Sequence, residues 1–154
     1  MLTVDQVADY FLLLVDEDAG DNMTNLRLQK LVYYAQAWHL ALTGKPLFAE
    51  DFEAWVHGPV SYGLWNKYRE YRWNPLPKPS GPIVEMDDET LDILNEVWDA
   101  YGQFSAKRLE ELTHTEAPWV NARKRRNCGP GDACREIITK DEMRDYYSQK
   151  VLTD

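Results

Sequence analysis

Residues 25–42, NLRLQKLVYYAQAWHLAL, constrain what this chain can fold into more than any other stretch. Their apolar side chains fall nearly all round a helical circumference, so the helix must be surrounded by other elements. Arg27, Gln29, Lys30, Gln36 and His39 make the same helix too polar, and it is too short, to cross a bilayer. Thr43-Gly44 ends it, with glycine available for a left-handed C-terminal position. Arg27 and Lys30 lie in the first turns, where the helix dipole disfavours cations. The preceding loop, with Asp16, Glu17, Asp18 and Asp21, is the expected compensation, ahead of carboxylates from a partner.

The rest of the chain supplies the surrounding helices. Six helix starts share an apolar residue, a Ser, Thr or Asp cap, and an apolar residue four positions into the helix. The caps are Thr3, Thr24, Ser61, Asp87, Ser105 and Thr139, and Gln6 and Glu142 complete capping boxes. The expected helices cover residues 4–15, 25–42, 61–69, 88–101, 106–114, 119–125 and 140–151, with Pro118 in a first turn. Alternation over residues 52–56 predicts a strand stopped by Gly58-Pro59, with further strands at 83–86 and 136–138. Residues 73–82 carry four prolines and read as a loop. The expected fold class is therefore mainly α (α+β). It is a single-domain helical bundle over residues 1–154, built around a buried central helix with a small two- or three-stranded sheet.

Composition narrows the partners. Acidic residues outnumber basic ones 26 to 17, for a formal charge of −9, which disfavours direct nucleic-acid binding and suits a cationic protein. The N-terminus lacks a basic and apolar export signal, so a cytoplasmic protein with no membrane association is expected. Cys128 and Cys134 are then expected as free thiols.

Catalytic and metal signatures are weak. His39, His57 and His114 are far apart in sequence with no metal-ligand spacing, and His39 reads as a satisfied histidine. There is no nucleophile elbow and no glycine-rich phosphate cradle, so no enzyme, cofactor or metal is expected. The rival enzymatic reading would use His57 and His114 with a carboxylate. The basic run Arg123-Lys124-Arg125-Arg126 reads as a solvated helix C-terminus, with an acidic-partner clamp as the alternative. Among the aromatics at 55–73, Trp65 and Tyr68 are expected in the core. Trp55 is opposite in phase to Phe52, Ala54 and Val56, and is expected at the surface.

Three blocks carry a resemblance: Leu26-Arg27-Leu28-Gln29-Lys30-Leu31, Gly44-Lys45-Pro46-Leu47-Phe48, and Glu53-Ala54-Trp55-Val56-His57-Gly58-Pro59-Val60. Leu112-Thr113-His114, Glu116, Pro118 and Trp119 form a downstream block, and Ile137-Ile138 precedes the last helix. Together they resemble the Panacea domain family, also known as SocA-like antitoxins or phage-associated GepA-like proteins, over residues 4–147. Tyr62 stands where that family often has proline, and the loop around Cys128 is peculiar to this chain. The resemblance implies an antitoxin of a bacterial or prophage toxin–antitoxin pair, neutralising by direct contact a protein toxin encoded next to it. A Clp-type protease is a further implied partner. The alternative is a proteolytic adaptor or mobile-element interaction module with a non-toxin partner. The expected contact residues are Glu53, Trp55, His57 and Tyr62 around the corner, and His114, Glu116 and Trp119 as a second patch.

Overall fold

In the structure, a computed structural model that describes residues 1–153, the helix starts follow their caps. The elements are α1 (Val4–Leu14), α2 (Asn25–Thr43), β1 (Phe52–Trp55), β2 (Gly58–Val60), α3 (Tyr62–Lys67), α4 (Asp88–Tyr101), α5 (Ala106–His114), α6 (Ala117–Arg125), β3 (Ile137–Ile138) and α7 (Lys140–Thr153). The side chains of Thr3, Thr24, Asp87, Ser105 and Thr139 each accept the backbone N–H three residues on. Gln6 and Glu142 reach back to the N–H groups of Thr3 and Thr139, completing both boxes. Each such cap is worth roughly 1 kcal/mol. Ser61 is the exception: its side chain makes no capping bond, and its N–H donates instead to Gln29 Oε1 at 2.9 Å.

The architecture is mainly α with a small three-stranded antiparallel sheet, in the order β2-β1-β3. α2 runs through the centre, buried from Asn25 to Ala37 with only Leu26 partly open, and α1, α3, α4, α5 and α7 pack around it. Gly44 ends it at φ 77°, in the left-handed region only glycine occupies cheaply. Its aromatic face builds the densest part of the core. Tyr33 meets Phe52 edge-on at 5.3 Å, and Tyr34 stacks on Tyr101 at 4.0 Å. Tyr147 of α7 closes against both tyrosines at 6.2 Å. Edge-on and offset pairs of this kind add about 0.5–1.5 kcal/mol each beyond the area they bury.

The sheet departs from its expected form. Gly58 and Pro59 form β2 rather than ending β1, with Ala54 opposite Pro59 and Trp55 opposite Gly58. Proline is tolerated there because β2 is an edge strand with β1 on one side only. Residues 83–86 form no strand; they belong to the proline-rich loop, which Leu76 anchors by burying its side chain and donating its N–H to Met23 O at 2.7 Å. α3 is shorter than expected and gives way to a 3₁₀ turn at Arg69–Tyr71. Tyr68 is buried as expected, Trp65 is half-buried, and Trp73 lies exposed.

In the C-terminal third one expectation is overturned and a second holds only in part. Cys128 and Cys134 form a disulfide rather than free thiols, with Cα atoms 6.1 Å apart. Positive φ at Asn127 and Gly131 folds the loop back on itself and brings the two residues together. The basic run ends α6 with Lys124, Arg125 and Arg126 exposed, as expected, but Arg123 departs from that reading. Arg123 is buried and donates to Ala54 O, Gly129 O and Asp132 O, tying the loop to β1. Arg125 binds Glu136 and Glu142, and Arg126 binds Glu136.

Candidate protein-contact surface

The resembling blocks meet because buried polar side chains of α2 hold the backbone of the corner. Asn25 Nδ2 donates to Trp65 O at 3.0 Å, and Gln29 bridges Asn25 Oδ1 and the Ser61 N–H. Lys30 is wholly buried and donates to Pro59 O at 3.1 Å. One turn and a half further on, Gln36 accepts from Leu47 N–H and donates to Phe48 O, both at 2.7 Å. Thus α2 holds the second and the third blocks through their main-chain groups. Each buried group left without its partner would cost about 1–3 kcal/mol.

Gly58 makes this approach possible. Its φ is 104°, and a Cβ there would lie 2.6 Å from Lys30 Cε and 2.9 Å from Thr113 Oγ1. The corner is closed down onto the lysine stem, and only glycine fits. Burial lowers the Lys30 ammonium from its ordinary 10.5 to about 7, with the Glu110 carboxylate opposing. Arg27 meets the expected acidic loop through Asp21 at 3.1 Å and also donates to carbonyls of Asn22, Gly102 and Phe104. Lys30 has its hydrogen bond to a carbonyl instead of a loop carboxylate.

The outer side of the same corner is open. Trp55, Val56, His57 and Tyr62 form one wall of a groove of about 600 Å³, and Gly131, Ala133, Cys134 and Arg135 form the other. Glu53 accepts the Trp55 indole N–H at 2.9 Å and Arg135 Nε at 2.8 Å, and the Arg135 guanidinium lies 4.7 Å from the centre of the Tyr62 ring. Trp55 also packs against Tyr62 and Trp65, so it is half-buried, a wall rather than a free flag. His57 is exposed and rests its Nδ1 on Glu110 of α5. Tyr62 is 42% exposed.

The second expected patch touches the first. Trp119 Nε1 donates to Trp55 O at 2.8 Å, and the Trp119 ring stacks on His114 at 4.0 Å. His114 is held below its ordinary pKa by burial, with Glu110 opposing, and its Nε2 is buried without a hydrogen-bond partner. Glu116 does not belong to this surface. It is only 4% exposed, and Oε1 accepts Tyr34 OH at 2.7 Å and Tyr147 OH at 2.8 Å. Burial raises its pKa against those two hydrogen bonds. Sequence reasoning did not place Arg135, Glu110 or the loop wall at the groove; Arg135 and Glu53 are 82 positions apart, with no local pattern linking them.

What this surface offers is aromatic area with a polar frame already satisfied internally. Trp and Tyr of limited freedom, fixed by neighbouring bonds, suit the capture of an apolar side chain from a macromolecule. The Lys30 amine lies beneath the corner, sealed from the groove by Gly58 and Pro59.

The chain is 29% identical over 148 residues to Antitoxin SocA of Caulobacter vibrioides (strain NA1000 / CB15N), a match covering 86% of this chain and 79% of the relative. No solved structure matches. The profile of the family described as "Antitoxin SocA-like, Panacea domain" matches residues 28–120, which run from Leu28 in α2 through the corner to Val120 in α6. The chain belongs to the SocA-like antitoxin family of Panacea-domain proteins.

Proposed function

We propose that this chain is a cytoplasmic antitoxin that neutralises a cognate protein toxin by direct binding, without catalysis, and that the groove beside Trp55 is part of the contact. Family membership supports the antitoxin role. The observation that carries the contact reading is the convergence of Trp55, His57 and Tyr62 on one concavity whose walls are fixed by internal bonds. A preformed aromatic groove loses little conformational freedom on binding. The net charge of −9 favours a cationic toxin and speeds encounter with it.

Coexpression with the neighbouring reading frame tests the proposal. That frame alone should arrest growth, this chain should restore it, and the two proteins should co-purify. Rescue that persists without Clp-type proteases would assign neutralisation to binding alone. A harmless neighbour, or rescue with no complex formed, would sink the proposal.

A further inference from the structure

We propose that the outer seam between α2 and α4 is a separate docking surface that takes a cationic amphipathic helix of a protein partner. It uses different elements from the Trp55 groove and does not rest on the antitoxin reading. Trp38, Leu42, Ile93, Val97, Ala100 and Tyr101 line an apolar channel of about 210 Å³ there. Leu42 stands 46% exposed at its lip. The floor is fixed: Trp38 Nε1 donates to Tyr101 OH at 2.8 Å, and the Tyr101 ring stacks on Tyr34.

The charge on the α4 side of this channel is of one sign, and Lys45 lies at the far end of the rim. Residues 83–101 contain seven Asp and Glu and no Lys or Arg. Glu96 lines the channel, and Glu89 and Asp92 continue its rim along α4 toward Thr43 and Lys45. Among the described residues none of these three has an ion-pair partner. Several carboxylates elsewhere are spent internally, Glu53 on Arg135, Glu136 on Arg125 and Arg126, and Asp51 on Lys140.

An apolar channel flanked by unneutralised carboxylates matches a helix with apolar anchors at i, i+3, i+4 and i+7 and Lys or Arg beside them. Attraction of this kind steers encounter and weakens with salt. A phosphate backbone is repelled by the same field.

The probe is a labelled peptide of about 14 residues with leucines at those anchor spacings and lysines elsewhere, titrated into the full chain by fluorescence anisotropy. A scrambled peptide of equal composition and a glutamate-for-lysine peptide are the comparators. The scrambled and acidic peptides should each bind at least about ten-fold more weakly, and added salt should weaken the parent peptide. Two groove variants, Ala100→Gln and the triple Glu89→Gln/Asp92→Asn/Glu96→Gln, should each lose about ten-fold in affinity, whereas His57→Ala should change it less than about two-fold. Amide shifts on binding should cluster on α2 and α4. Equal binding of the scrambled peptide would overturn the inference. So would full affinity in Ala100→Gln, shifts centred on the sheet corner, or comparable binding of a duplex oligonucleotide.

Discussion

The two sides of the sheet corner use polar and aromatic residues in opposite ways. Beneath it, Asn25, Gln29 and Lys30 direct their hydrogen bonds into the backbone of β2 and the start of α3, all of it buried. Above it, Trp55, His57 and Tyr62 face a groove, and the polar groups beside them are satisfied by Glu53, Glu110 and Arg135. Apart from Asn25 and the groove residues Gly131, Ala133, Cys134 and Arg135, both sides lie within the matched family region, residues 28–120. The comparison teaches that a strongly recognisable motif can be mostly scaffold. LRLQKL and GP hold the corner in place, and the proposed contact falls to the side chains on its outer surface.

The largest expected effect breaks the inner side. Gly58→Ala puts a Cβ at φ 104° against Lys30 and Thr113, and should cost about 3 kcal/mol or more in urea denaturation. A cost below about 1 kcal/mol would mean the corner is not closed down as described. Gln29→Leu leaves the Ser61 N–H without its acceptor and Asn25 Oδ1 without its donor, and should cost about 2–3 kcal/mol.

The electrostatic signature of the inner side is its pH dependence. Lys30 releases its proton in the folded chain near pH 7 and in the unfolded chain near 10.5. Between those values the unfolded state binds more protons, so stability rises with pH, by at most about 1.4 kcal/mol per unit. This contribution disappears as pH falls toward 7. Lys30→Met should flatten the slope, measured by denaturant midpoints across that window.

The outer side should respond the other way. Trp55→Ala removes a half-buried ring packed on Tyr62 and Trp65, so it should cost about 1–2 kcal/mol, leave the domain folded, and still weaken toxin neutralisation. Circular dichroism beside a growth-rescue assay separates the two effects, and a melted domain would make Trp55 core. His57→Ala is the smallest perturbation, expected within about 0.5 kcal/mol in stability.

Much of the fold was legible because its signals are local. All-round apolarity placed α2 at the centre, and five of the six caps bind where their spacing said they would. β2 was missed because Gly-Pro ordinarily interrupts strands, and only a tertiary fact, its edge position, makes it acceptable. The candidate groove was legible in part. Trp55, His57 and Tyr62 do line one groove, and the separately expected patch joins it through the Trp119 indole. Glu116 was misplaced because its partners, Tyr34 and Tyr147, sit 82 and 31 positions away on other helices. Lys30 looked like a cation in need of an anion, whereas its partner is a carbonyl 29 residues along that no periodicity reveals.

The central claim is that partner binding resides in the outer face of the corner and fold maintenance in the inner face. The double variant His57→Ala/Tyr62→Ala, titrated calorimetrically against the purified product of the neighbouring reading frame, tests it most directly. A thermal midpoint within about 3 °C of the parent, with affinity lowered about ten-fold or more, is the predicted result. An equally stable variant that binds the toxin as tightly as the parent would contradict the account.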